Sequence, residues 1–150
     1  MGLFNLFKPR LKIQDEVFGE MKYYKSKDPA HCFFEAEAYF KPLEKKIGFT
    51  IYAGETGPTK SQKNFYELFQ QRYDQLKSSL IPLLNKQLVD WYAGRSIENF
   101  DQEFDLESIE IPGIDGQPVK WSICYAAKKI NHWATIDFID FEPQKVLIDG

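Results

Sequence analysis

The sequence contains few of the residues that bind metals or form disulfides. Its 150 residues include two cysteines, Cys32 and Cys124, and two histidines. Two cysteines do not make the disulfide framework of a small secreted domain. His31 and Cys32 are adjacent, and adjacent side chains in an extended segment diverge, so the spacing that chelates zinc is missing. We therefore expect two reduced thiols, no metal and no cofactor.

Long apolar runs are also missing. A membrane-spanning helix needs about 20 consecutive apolar residues, and the apolar stretches of this chain are short. The first ten residues, MGLFNLFKPR, lack the basic start and the long apolar part of a secretory signal. We predict an N-terminal arm at 1–10, packed on the body or loose, and a single domain at 11–150. The predicted location is the cytoplasm.

The segment AGETGPTKSQ at 53–62 only imitates a phosphate-binding loop. Such a loop requires Gly immediately before Lys, so that backbone amides surround the phosphate. Here Thr59 precedes Lys60, and Pro58 removes one amide. The spacing of Thr59 and Gln62 instead predicts a capping box, in which each side chain satisfies a free backbone amide at a helix start.

Apolar residues make up 43% of the chain and aromatic residues 16%, which is enough material for a core. Alternation of apolar and polar residues predicts strands. The predicted strands form N-terminal hairpins within 11–27 and 33–53, and C-terminal strands at 107–113, 118–127 and 132–142, with KVLI at 145–148 as a further edge strand. Asp115-Gly116 predicts a tight turn, and 129–131 predicts another.

A helical period begins near Thr59. Its apolar stripe is Phe65, Phe69, Tyr73, Leu76, Leu80, Leu83, Leu88 and Trp91, which predicts an amphipathic helix that ends at 93–94. Pro82 predicts a kink near 78–79, because proline cannot donate to the carbonyl four residues earlier. The predicted class is α+β, with a mostly antiparallel sheet packed against this one long kinked helix. A single crossover helix leaves little scope for parallel pairs.

The charge is unevenly distributed. Residues 1–95 carry a balance of +4 and residues 96–150 a balance of −7. The lysines are spread among acids and the isoelectric point is about 5.5, which argues against nucleic-acid binding. The segment 96–115 has seven acids, no bases and two aromatic residues, Phe100 and Phe104.

Two interpretations fit this acidic segment. It is either a connecting loop anchored to the core by its aromatics, or a docking surface for a basic protein, where acids steer the encounter and aromatics supply contact area. The candidate partner-binding residues are Glu98, Phe100, Asp101, Glu103, Phe104, Asp105 and Glu107.

Carboxylates on the predicted strands leave catalysis open. Asp137 and Asp140 are three residues apart, so on a regular strand they face opposite sides. Paired carboxylates catalyse glycoside and phosphodiester hydrolysis, and Glu35 or His132 could join them in a small hydrolase. A structural subunit that forms a homodimer through an edge strand or an aromatic face is the third alternative.

The order of elements resembles that of small uncharacterised bacterial α+β domains. The resemblance lies in DEVFGEM, FEAEAYF…GFTIYAG, the long helix and VKWSICYAA…ATIDFIDFEP. Members of such families are often encoded near polymorphic toxins, and some are suspected immunity proteins. The resemblance implies a cytosolic bacterial protein without catalysis, and it transfers no functional residues. We therefore expect a non-enzymatic protein-binding module of the immunity type that neutralises a basic toxin domain.

Overall fold

A computed structural model describes residues 11–150 of the chain. The arm predicted at 1–10 lies outside the described residues. The elements follow in the order β1 (Leu11–Asp15), β2 (Gly19–Tyr24), β3 (Phe33–Phe40), β4 (Lys45–Tyr52), α1 (Lys60–Gln87), α2 (Phe100–Glu103), β5 (Phe104–Ile111), β6 (Lys120–Ala127), β7 (His132–Ile139) and β8 (Glu142–Asp149).

The eight strands form one sheet whose spatial order is the order of the chain, β1 to β8. Every neighbouring pair is antiparallel except β4 and β5, which are parallel. Parallel neighbours need a long crossover, and α1 lies in the connection between these two strands. The predicted α+β class with a mostly antiparallel sheet is confirmed, and KVLI belongs to a full eight-residue strand.

Alternate residues of the strands point to opposite faces of the sheet. One set is buried and contacts α1: the ring of Phe69 lies 5.2 Å from that of Phe40 and 5.4 Å from that of Trp121. One turn after Phe69, the hydroxyls of Tyr73 on α1 and Tyr125 on β6 share a hydrogen bond of 3.0 Å. The other set points away from α1 and is exposed or half-buried. We call that second surface the open face.

The start of α1 matches its prediction. The Gln62 amide N–H donates to Thr59 Oγ1 at 3.2 Å, and the Thr59 N–H donates to Gln62 Oε1 at 2.9 Å, which completes the capping box. The Gln62 side chain also donates to the carbonyls of Tyr52 and Pro112, both at 2.8 Å. The segment 53–62 therefore ties the helix start to the ends of two strands.

The end of α1 differs from its prediction. The helix ends at Gln87, and a series of turns follows up to Gly94. Gly94 adopts a φ of 79° and its N–H donates to the Val89 carbonyl at 2.8 Å, so the glycine closes these turns rather than the helix itself. Pro82 lies inside α1, and the kink near 78–79 remains a prediction.

Two residues of the predicted apolar stripe are not in the core. Leu84 and Tyr92 are buried, whereas Leu83 is only partly buried and Trp91 is exposed. The connection around Gly116 is a long loop over 112–119 instead of a tight turn. The turn at 129–131 is confirmed.

Candidate functional site

The predicted acidic docking segment does not present its aromatic residues to solvent. Phe100 and Phe104 are 8% and 3% exposed. Their rings stack on each other at 5.1 Å, and the Phe100 ring contacts that of Tyr125 at 5.4 Å. Their burial agrees with the interpretation of a loop anchored by its aromatics, and Phe100 and Phe104 cannot be partner contacts, because α2 and the start of β5 turn both rings into the core.

Glu103 is buried as well, at 4% exposure. Its Oε2 accepts hydrogen bonds from the backbone N–H groups of Glu98 at 2.9 Å and Asn99 at 2.6 Å. Lys129 Nζ lies 3.1 Å from its Oε1. Burial raises the pKa of Glu103, but these amides and the ammonium outweigh it and lower the pKa overall. Glu103 therefore organises the chain before β5 and cannot contact a partner directly.

The remaining four candidates are accessible but do not form one cluster. Glu98 is exposed, and Asp101 pairs with Lys77 of α1 at 3.1 Å, on the helix side of the sheet. Asp105 pairs with Lys45 of β4. Glu107 is exposed where β5 carries a bulge between Leu106 and Ser108, and it belongs to the open face.

The residues considered for a hydrolase lie apart. Glu35 is on β3 and Asp137 on β7, with three strands between them. Asp140 follows β7 and accepts the Val119 N–H at 2.9 Å. The ring of His132 packs against Trp91 at 4.6 Å, next to the turns after α1. The fold does not bring these four side chains into one site.

A different set of carboxylates comes together on the open face. Strand pairing places seven residues in one row across β2 to β8: Lys22, Glu35, Thr50, Glu110, Ser122, Asp137 and Lys145. Carboxylates thus occupy alternate strands, and small hydroxyl residues lie between them. Because neighbouring strands are about 4.8 Å apart, the Cα atoms of successive carboxylate residues in the row are about 9.6 Å apart. Glu37 and Glu107 flank this row towards the other end of the strands.

These carboxylates are not neutralised by ion pairs within the described part of the chain. None of Glu35, Glu37, Glu107, Glu110 and Asp137 has a basic side chain of residues 11–150 within ion-pair distance. Lys22 and Lys145 are the two end residues of the row, and neither forms an ion pair with the carboxylate next to it. The middle of the open face is therefore negatively charged.

Aromatic and aliphatic side chains surround the carboxylates. The rings of Tyr24, Phe33 and Tyr52 form a ladder over β2 to β4, with centroids 5.1 Å and 6.0 Å apart. Burial raises the pKa of Tyr52, and the neighbouring Glu110 carboxylate raises it further. On β7 and β8, Trp133 and Leu147 are 45% and 52% exposed. The open face therefore combines charge with contact area.

A groove of about 900 Å³ lies at one end of this face. It forms because β2 pairs with β3 only as far as Ala36, while β3 continues to Phe40. Glu20, Glu37 and Tyr39 are among its lining residues. The groove extends the acidic surface beyond the row, towards the β1–β2 turn.

Sequence patterns indicated part of this surface. The alternation in β3 shows that Glu35 and Glu37 share one side, opposite to Phe34 and Phe40. The sequence did not reveal that Glu110 of β5 would join them, because that requires the parallel register of β4 and β5.

Among residues 11–150, no group of three or more His, Cys, Asp or Glu side chains is placed to hold a metal ion. In the same range, no helix is long and apolar enough to cross a membrane. Comparison with protein-family models, with curated protein sequences and with solved structures finds no match to this chain, so the resemblance to immunity-type domains stays a prediction.

Proposed function

We propose that this protein is a non-enzymatic binding module whose open face docks a basic protein. One observation carries the proposal: a sheet covered on one side by α1 has, on its other side, five carboxylates without a basic partner among the described residues. Unpaired carboxylates at a surface attract a positively charged partner and raise its association rate.

The apolar side chains on the same face support binding rather than mere solvation. Tyr39, Trp133 and Leu147 are about half exposed, at 56%, 45% and 52%. Aromatic residues dominate the binding energy of many interfaces, while surrounding charges fix orientation. The proposed contact surface thus replaces the segment 96–115 as a whole and keeps two of its acids, Glu107 and Glu110.

A toxin-neutralising role is one form of this function. A basic toxin domain would match the charge of the open face, and the resemblance of the chain to immunity-type domains points in the same direction. In that form, the protein would block its partner by covering a basic surface, without chemistry of its own.

Affinity capture with paired variants tests the proposal. One variant changes Glu35, Glu37, Glu107, Glu110 and Asp137 to Gln or Asn. The control changes five exposed acids away from the open face: Glu44, Glu55, Glu67, Asp74 and Glu98. We expect a basic protein from the native cell to bind the wild type and the control, to be released by salt, and to be lost from the open-face variant. A partner that binds both variants equally would contradict the proposal.

A further inference from the structure

The row on the open face has a regular spacing that restricts what can dock on it. Thr50 lies between Glu35 and Glu110, and Ser122 lies between Glu110 and Asp137. Each hydroxyl residue is small and half-buried, whereas the carboxylates on both sides of it are exposed. The space above each hydroxyl is therefore flanked by two carboxylates, and we call it a cleft. The two clefts share Glu110, and their centres are about 9.6 Å apart, which is twice the strand spacing.

Each cleft suits one cationic side chain. A guanidinium or ammonium placed above Thr50 can donate to Glu35 on one side and to Glu110 on the other. Arginine has five donors in a planar group and stacks on aromatic rings, and the Tyr52 ring stands beside the first cleft on β4, two residues from Thr50. Arginine therefore fits this cleft better than lysine.

The distance between the clefts selects the backbone that carries the two cations. In an α-helix, residues i and i+7 lie on one side and about 10.5 Å apart along the axis. In an extended strand, residues on one side are about 6.8 Å or 13.6 Å apart, so neither spacing matches 9.6 Å. A helix that crosses the strands along the row can fill both clefts together.

We propose that the partner docks through a helix with two basic residues seven positions apart, laid across β3 to β7. This inference rests on the proposed function and specifies the element that the open face recognises. Leu147, exposed on β8 two residues from Lys145, lies beside the far end of the helix. Lys22 and Lys145, at the two ends of the row, favour acidic residues at the ends of that helix.

Designed peptides test this spacing. Two alanine-based helices, stapled on the opposite face, carry two arginines at i and i+7 or at i and i+11. Both pairs lie on one side of a helix, but the second is about 16.5 Å apart along the axis. The two peptides have equal charge. Titration by NMR should show tighter binding of the i, i+7 peptide by about threefold, the effect of one additional exposed ion pair.

Protein variants locate the effect. Glu110→Gln removes the carboxylate that both clefts share, so it should abolish the preference for the i, i+7 peptide. Glu67→Gln on α1 makes the same charge change away from the open face and should leave the preference intact. Both positions are exposed, and exposed substitutions of this kind leave the fold intact, so folding is not at issue.

The outcomes separate the two proposals. Equal, salt-sensitive binding of both peptides would overturn the helix spacing and leave charge-driven docking in place. Perturbed resonances on α1 instead of the open face would overturn the proposed site. Failure of both peptides to bind would count against the basic partner itself.

Discussion

Glu103→Gln separates a structural role of the acidic segment from a partner-binding role. The carboxylate of Glu103 is buried and accepts two backbone N–H groups, from Glu98 and Asn99, in addition to its pair with Lys129. Hydrogen bonds to a charged group contribute about 1.5–3 kcal/mol each. Gln keeps one oxygen for the amides but loses the charge, so we expect unfolding to become easier by about 1–2 kcal/mol. Glu103→Ala loses both bonds and should cost at least about 3 kcal/mol.

The effect of Glu103→Gln should depend on pH in a defined direction. Burial raises the pKa of Glu103, yet the bonds from the Asn99 amide and from Lys129 lower it below its ordinary value of 4.5. A carboxyl group whose pKa is lower in the folded state stabilises the fold above the pKa of the unfolded chain. That contribution is lost as the pH falls through the folded pKa. The difference between wild type and variant should therefore be full at pH 7 and shrink in strong acid.

Urea unfolding, followed by tryptophan fluorescence at pH 7 and again near pH 3, measures both effects. Glu98→Gln, an exposed neighbour, is the matched control and should change the free energy of unfolding by less than about 0.5 kcal/mol. If Glu103→Gln were as mild as this control at pH 7, the assignment of Glu103 as a buried organiser of the chain before β5 would be refuted.

Two further substitutions probe the core. Gln62→Leu leaves the carbonyls of Tyr52 and Pro112 without their donor, and thermal unfolding should show a loss of about 2–3 kcal/mol; an unchanged midpoint would mean that these carbonyls find other donors. Tyr73→Phe strands the buried hydroxyl of Tyr125 and should cost about 1–2 kcal/mol. Changing both tyrosines to Phe should cost less than the sum of the single changes, because the pair is lost together. Additive costs in that double-mutant cycle would contradict the shared hydrogen bond.

The local features of the fold could be predicted because they depend on residues close in the chain. The capping box needs only Thr59 and Gln62, three positions apart. The faces of β3 follow from strict alternation, which directs Phe34 and Phe40 to one side and Glu35 to the other. The residues at 129–131 likewise predicted a turn, and Asn131 adopts a φ of 53° there.

Predictions that depended on distant neighbours failed. Leu83 and Trp91 fit the helical period of the sequence, but Leu84 and Tyr92 are the buried residues. A step of three and a step of four both fit that period, so only packing against the sheet decides which residue points inward. In the same way, the acids and aromatics in the segment 96–115 fitted both an anchored loop and a docking surface, and the sequence could not decide between them. Phe100 and Phe104 are buried because their rings pack against that of Tyr125, which lies more than 20 positions away in the chain.

The sequence by itself determined the strands, the class of the fold, the start of the helix and an excess of acids in the C-terminal third. The tertiary structure alone decided which acids are exposed without an ion pair and which of them lie in one row. Side-chain direction along one strand is a local property, since it repeats every two residues. The alignment of Glu35, Glu110 and Asp137 depends on the register of the five strands β3 to β7. Two of these strands, β4 and β5, are parallel and are connected through α1. That register is set by the packed core, and with it the charged surface on which we propose that a partner binds.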